Sequence, residues 1–296
     1  MSGPFDLSDT ESFLRWREWK LSHAITDTND LIVEIKDPNA VSNLERAELM
    51  SRYQRCNMVI YATRGEMDEH TVQNFGRQFG LMRLDANWLA GDQGITRITV
   101  CNEDGKRQVY IPYTDRAIKW HTDGYYNPPE RQIRAMVLHC AHSAGSGGEN
   151  AAMDQEIAYL MLRDKNPDFI RALSDPNAMT IPERVDASDG IRPIQSGPVF
   201  SVDPVTGALH MRYTARTRSI EWKDDEITKE AVANLEQFLS SDTPHIHRLR
   251  MEHGMGLLCN NVLHDRTAFT DDPANPRLLY RARYLDRLAT TTAMIF

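Results

Sequence analysis

Apolar residues recur at helical spacing in a few stretches of the chain and alternate, or run together, in most of the rest. Residues 9–24 place Phe13, Leu14, Trp16, Trp19 and Leu21, and residues 41–53 place Val41, Leu44, Ala47, Leu49 and Met50, at the spacing of an amphipathic helix. Residues 57–62 then read as a buried strand. Glu66 and Asp68 mark the start of a further helix whose stripe is Val72, Phe75 and Phe79 and which Gly80 ends. Strands dominate the middle. Residues 94–101 and 106–111 flank Asn102-Glu103-Asp104-Gly105, whose Asp-Gly tip predicts a hairpin. The stretch from Trp120 to Tyr126 reads as extended and 133–141 as a buried run, and the glycines within 145–148 separate it from a helix over 151–163. A proline-rich excursion covers 176–198. Alternation on both sides of Pro204 and Gly207 predicts a second hairpin over 199–211, a helix follows over 226–240, and 255–263 and 277–285 close the chain as strands.

Many short strands, hairpin turns and few helices predict an α+β chain, mainly β with flanking helices, built as an antiparallel barrel or double-sheet jelly roll. With no internal repeat and no shift of composition, 296 residues at 41% hydrophobic read as a single domain over 1–296, its helical N-terminal region (about 1–90) packed on the outside of the core. The formal charge of −8 offers no basic footprint for a phosphate backbone, so nucleic acid is not an expected partner. No long apolar run and no signal-like start are present, which predicts a soluble, cytoplasmic protein with no membrane contact. The four cysteines, Cys56, Cys101, Cys140 and Cys259, are scattered without a C-x-x-C pair and read as buried free thiols.

Candidate chemistry centres on Trp120-His121-Thr122-Asp123-Gly124-Tyr125-Tyr126. On an extended segment residues two apart share a face, so the imidazole of His121 and the carboxylate of Asp123 can reach one ion. His264, late in the chain, is the candidate third ligand, since two histidines and one carboxylate form the facial set that leaves positions open on Fe(II). Among ten histidines an H-x-D pattern is expected about once by chance, and a hydrogen-bonded structural His-Asp pair explains it equally well. The rival cluster His245-Ile246-His247 has no acidic partner before Glu252 and reads as surface. In the closing strand, alternation puts Arg277, Leu279, Arg281 and Arg283 on one face and Leu278, Tyr280, Ala282 and Tyr284 on the other. Periodicity alone turns the arginines to water; turned inward, each would demand an anion.

Taken together these segments resemble the taurine dioxygenase-like (TauD/TfdA) family of Fe(II)- and 2-oxoglutarate-dependent oxygenases. Asn74 to Gly80, Trp120-His121-Thr122-Asp123, Gly147-Gly148-Glu149-Asn150 and His264 with Arg277 and Arg281 are similar to the family's ordered motifs, which span most of the chain. The resemblance implies a double-stranded β-helix of cupin-like jelly-roll type. It implies iron on His121, Asp123 and His264, with 2-oxoglutarate as cosubstrate and O2 as oxidant. Arg277, thirteen positions after His264, would hold the distal carboxylate of 2-oxoglutarate with Asn150 assisting, although the family more often has threonine there. Succinate and CO2 would be released. Because Asp123 supplies the carboxylate that halogenating relatives lack, hydroxylation or a related oxidation such as desaturation is expected, not chlorination.

Arg281 lies where the taurine enzyme anchors its substrate's sulfonate. Arg212, Arg216 and Arg218, placed together by alternation with Thr214, point with it to an anionic substrate, read as a small carboxylate-bearing metabolite such as an amino acid; a solvated edge-strand face is the bland alternative. Tyr125 and Tyr126, with Tyr113 and Trp120, could instead line a pocket for a quaternary ammonium of γ-butyrobetaine type. A divalent-metal hydrolase or isomerase of cupin type would use the same three ligands but would have no need of Arg277 and Asn150. A binding protein without catalysis would need no open metal positions. Self-association into a homo-oligomer is compatible with the resemblance.

Overall fold

A computed structural model of the 296-residue chain describes residues 3–85, 94–100, 110–186, 190–218 and 220–288. The hairpin expected around 102–105, and Cys101 with it, lie outside the described residues. Two sheets carry the architecture. The larger contains β1 (Ile32–Ile35), β2 (Met58–Thr63), β3 (Thr96–Ile98), β5 (Ala135–His142), β8 (Met255–Cys259) and β10 (Leu278–Tyr284), in the order β1-β2-β8-β5-β10-β3. The smaller contains β4 (Ile118–His121), β6 (Asn150–Met153), β7 (His247–Leu249) and β9 (Leu263–Arg266), in the order β7-β6-β9-β4. Apart from the parallel pair β1 and β2, neighbouring strands in both sheets run antiparallel. The two-sheet jelly roll expected from the strand pattern is the observed fold.

Alternation along each strand sends its residues to two different cores. Met58, Ile60, Met136, Leu138, Leu257, Cys259 and Leu279 point between the sheets, where Ala152 and Leu249 of the smaller sheet meet them. Val59, Tyr61, Val137, Leu258, Tyr280, Ala282 and Tyr284 point outward and are covered by helices α2 (Asn43–Cys56) and α3 (Glu69–Gln78) through Leu49, Tyr53, Val72 and Phe75. Each large apolar side chain fully buried there contributes roughly 1.5–3 kcal/mol. The far face of the smaller sheet, Ala151, Met153 and Leu263, packs with α1 (Thr10–Ser22), α4 (Gln155–Lys165), α5 (Pro167–Leu173) and α6 (Glu226–Leu239).

The helices start where side chains cap them. Ser42 and Glu45 form a reciprocal capping box on α2, and Asp68 accepts from the Thr71 N–H at the head of α3. Residues 151–153, expected to begin a helix, belong instead to strand β6; Asp154 caps α4 by accepting from the Glu156 N–H, so the helix starts only at Gln155. The closing segment 255–263 is two strands, not one, because Asn261 adopts a left-handed conformation (φ 52°) between β8 and β9. The excursion over 176–198 contains strands Met179–Ile181 and Gln195–Gly197, which form a three-stranded sheet with Glu221–Trp222. The hairpin over 199–211 is present as Phe200–Val202 paired with Leu209–Met211. Cys56, Cys140 and Cys259 are buried free thiols. No described helix is long and apolar enough to cross a membrane.

The closing strand settles the arginine question against simple periodicity. Leu278, Tyr280, Ala282 and Tyr284 take the helix-covered outer face, so Arg281 and Arg283 point into the roll. A register shift between Leu278 and Leu279 interrupts the strand's regular pairing, and Arg277 too is buried. Both faces of this strand carry large side chains, and the apolar one was claimed by the helices.

Candidate active site

His121 and His264 stand opposite each other in the β4–β9 ladder, with ring centroids 4.2 Å apart. Asp123 joins them from outside the strand. β4 ends at His121, and the chain turns through Gly124 (φ 67°), where a Cβ would come 2.4 Å from Ile133 Cγ1. The carboxylate therefore reaches the imidazoles from a turn and not by strand alternation. Ligand atoms of His121, Asp123 and His264 all lie within 4.8 Å of one another, and no other group of three His, Cys, Asp or Glu side chains converges in this way among the described residues.

Each imidazole is set by a backbone carbonyl two residues before it. His121 Nδ1 lies 2.9 Å from Lys119 O, and His264 Nδ1 lies 3.0 Å from Val262 O. A carbonyl only accepts, so Nδ1 carries the proton in both rings and each Nε2 keeps its lone pair for an ion. Burial, then the neighbouring His264, push the His121 imidazole down to about 3 despite the pull of Asp123. Burial would raise the Asp123 carboxyl, but the guanidinium groups of Arg281 and then Arg283 outweigh it and hold the group well below the usual carboxylate range. Asp123 is thus ionised beside the neutral imidazole of His121.

This donor set fits a divalent ion. Asp123 Oδ2 is buried and accepts no hydrogen bond among the described residues, although Arg281 Nη1 stands 3.2 Å away. One carboxylate oxygen and two imidazole nitrogens gathered on one side leave the remaining positions free, the arrangement that suits Fe(II).

Arg277 is 4% exposed, and no carboxylate pairs with its guanidinium among the described residues. Burial pushes it down to about 10, and it stacks 5.0 Å from the centroid of Phe269. Such a group calls for an anion. Asn150, on β6, donates through Nδ2 to Asp265 O at 3.1 Å, while its buried Oδ1 has no partner among the described residues. Asn150 and His264 both border one cavity, whose other walls include Leu138, Leu249, Met251 and Leu257. His247, expected at the surface, is 4% exposed and also borders this cavity; its Nδ1 lies 3.3 Å from Thr28 Oγ1.

The segment after residue 211 is tied to the site. Ala215 donates to Trp120 O, Thr122 donates to Tyr213 O, and Thr214 bridges His121. Its arginines do not share one face, because the strand ends at Met211. Arg212 is buried and donates to the carbonyls of Tyr125, Met179, Gln195 and Gly197, so it pins three segments together. Arg216 is exposed and donates to Tyr125 Oη at 2.9 Å; Arg218 is exposed as well. Tyr125 and Tyr126 form an edge-to-face pair at 5.2 Å. Tyr126 Oη accepts from Arg283, and Arg192 lies 5.6 Å from the centroid of its ring. Arg283 is in turn held by Asp85 at 2.7 Å, and Asp85 also pairs with Arg131. Asp85 carried no signal in the sequence; the shared parity of Arg281 and Arg283 was the available clue.

Residues 32–283 match the family described as Taurine catabolism dioxygenase TauD, TfdA family. The chain belongs to this TauD/TfdA family. Two curated relatives are similar in sequence. One, a uridine-5'-phosphate dioxygenase of Amycolatopsis sp., is 30% identical over 172 residues, 56% of this chain and 60% of that protein. The other, of the same name from Streptomyces sp., is 27% identical over 209 residues, covering 69% and 74%. The chain thus matches under two thirds of the first relative's length. Among solved structures, an asparagine oxygenase in complex with Fe(II), 2S,3S-3-hydroxyasparagine and succinate resembles this TauD/TfdA chain with a TM-score of 0.58 at 15% identity, over 95% of this chain and 85% of that one. At that identity the likeness shows the fold.

Proposed function

We propose that this TauD/TfdA protein is an Fe(II)- and 2-oxoglutarate-dependent oxygenase in which His121, Asp123 and His264 bind the metal. The observation that carries this reading is the convergence of their three ligand atoms, with both Nδ1 protons already committed to carbonyls. Arg277 takes the distal carboxylate of 2-oxoglutarate, the anion its buried guanidinium lacks, and Asn150 assists from β6. With iron and cosubstrate bound, the chemistry available is oxidative decarboxylation of 2-oxoglutarate by O2 to succinate and CO2, coupled to oxidation of a substrate C–H bond. Leu138, Leu249, Met251 and Leu257 keep that chamber poor in water. A cupin-type hydrolase would leave the buried charge of Arg277 unexplained.

The substrate is a small anionic molecule, and a nucleoside 5'-phosphate is the first choice. Arg216 and Arg192 at the tyrosine pair supply cations for the phosphate, and the aromatic faces suit a base. Two curated relatives carry the name uridine-5'-phosphate dioxygenase, which supports this choice. A carboxylate-bearing metabolite such as an amino acid is the second reading, favoured by Arg281, whose Nη1 pairs with Asp123 while its buried Nε has no partner among the described residues. A quaternary ammonium is disfavoured, since guanidinium groups already contact both tyrosines. The protein acts in the cytoplasm, without nucleic acid or membrane.

The test is an anaerobic titration with Fe(II) and 2-oxoglutarate, followed by oxygenation with uridine 5'-phosphate or an amino-acid pool. A weak visible charge-transfer band and substrate-dependent succinate support the proposal. Absence of the band with intact protein would remove it, and succinate formation dependent on the amino-acid pool alone would move the substrate to the second reading.

A further inference from the structure

Asp123 is the one ligand of the triad that lies beyond its strand, so no ladder bonds hold its backbone. A single buried side chain takes their place. Asn261, 2% exposed, accepts from the Asp123 N–H through Oδ1 at 2.7 Å and donates through Nδ2 to Asp123 O at 2.9 Å. Nδ2 also donates to Ile133 O at 2.7 Å. The amide therefore pairs with both polar groups of Asp123 as an opposing strand residue would, and extends the ladder that begins at His121 and His264. Its third bond reaches the residue against which the Gly124 turn is packed.

The backbone of Asn261 is adapted to this work. It is one of two non-glycine residues with positive φ among those described, a conformation asparagine tolerates better than most side chains. The twist stops β8 and directs the amide at Asp123, three residues before His264.

We infer that Asn261 is a positioning residue for the metal centre: it sets the Asp123 carboxylate relative to the two imidazoles through its three hydrogen bonds. This rests on the reading of His121, Asp123 and His264 as metal ligands. An outer partner of a ligand typically alters metal affinity by 10–100-fold when removed. Asn261 acts on the peptide of its ligand and not on the carboxylate, so the effect appears as lost preorganisation.

The experiment measures Mn(II) binding by electron paramagnetic resonance, together with the thermal midpoint, in wild type and in Asn261→Gly and Asn261→Ala. Glycine permits the left-handed backbone while deleting the clamp; alanine deletes the clamp and adds backbone strain. Leu235→Ala, in the core around α6, serves as a destabilised control away from the site. Both Asn261 variants should bind Mn(II) about 10–100-fold more weakly than wild type, with alanine the less stable of the two, and the control should bind as wild type. Wild-type affinity in Asn261→Gly would overturn the inference, as would an equal loss in Leu235→Ala. Failure of wild type itself to bind Mn(II) would remove the metal-site reading and this inference together, and is thereby distinguishable.

Discussion

His264 and His121 face each other as directly paired residues of adjacent strands, and their rings, 4.2 Å apart, are each oriented by a carbonyl two positions earlier on their own strand. Regular hydrogen bonding thus places two of the proposed ligands before any ion arrives. Such preorganisation puts the site on the most rigid elements available.

Arg277 separates binding from stability. Its guanidinium is buried with no carboxylate paired to it among the described residues, so replacing it by methionine should leave the thermal midpoint of the ligand-free protein unchanged or raised. The same variant should lose about 2–5 kcal/mol of 2-oxoglutarate affinity, the usual cost of deleting one partner of a buried charge pair. Wild type should gain about 2.7 kcal/mol of stability at a cosubstrate concentration 100 times its Kd, whereas Arg277→Met should gain little at that concentration. Thermal shift with and without 2-oxoglutarate checks both halves.

In the proposed reaction Asp123 decides the outcome of the oxidation. With the carboxylate in place, turnover in the presence of chloride should give hydroxylated or otherwise oxidised product and no chlorinated product, read by mass spectrometry. A chlorinated product would show that the carboxylate does not occupy the position assigned to it.

Arg216 is exposed and bonded to Tyr125 Oη, a place from which it can meet an incoming anion. Arg216→Ala should weaken substrate binding by about 1.5–3 kcal/mol, the scale of one hydrogen bond to a charged group. The KM for 2-oxoglutarate should stay as in wild type. Initial rates with each substrate varied in turn provide the measurement.

Buried neutral histidines set an acid limit. The imidazoles of His139 and His247 are pushed from 6.5 down to about 4, chiefly by burial and secondarily by a neighbouring histidine. Between those values the unfolded chain binds protons that the folded chain refuses, so stability is full above 6.5 and is lost as pH falls toward 4. Each contributes up to about 3 kcal/mol at roughly 1.4 kcal/mol per unit. In His247→Gln, the loss of stability between about pH 7 and pH 5, measured by urea unfolding, should shrink by about 1–2 kcal/mol.

Lys20 is 1% exposed and its Nζ lies 2.5 Å from both Asp154 and Glu156, which bolts α1 to the head of α4. Lys20→Met would strand two buried carboxylates and should cost about 3–5 kcal/mol at neutral pH. Without the lysine, burial raises their pKa values in the folded state, so part of the loss should return as pH falls. Urea midpoints at neutral and mildly acid pH test this.

Much of the roll was legible because strands such as β2 and β5 are apolar on both faces and stand out as short continuous runs. The convergence of His121, Asp123 and His264 was legible because the H-x-D pattern occurs once in the chain and a second histidine stands at a strand late in it. The inward turn of Arg281 and Arg283 was not, since the leucine and tyrosines opposite them made an equally good core and only the covering helices decided the matter. His247 misled for a related reason: in sequence it stands between His245 and Arg248, whereas the cavity it borders is walled by Leu31, Met58 and Ile60 from the N-terminal part of the chain. Arg212 looked like one of a row of cations turned toward an anionic substrate, but the chain leaves the strand at Met211 and folds its guanidinium onto carbonyls.

Between Cys259 and Leu263 the chain crosses from the wall backed by α2 and α3 to the wall backed by α4 and α6. His264 belongs to one wall and Arg281, beside Asp123, to the other. An ion held by His121, Asp123 and His264 would pin β4, the turn after it and β9 to one another within a single wall, so resistance to proteolytic nicking there should rise in step with metal occupancy.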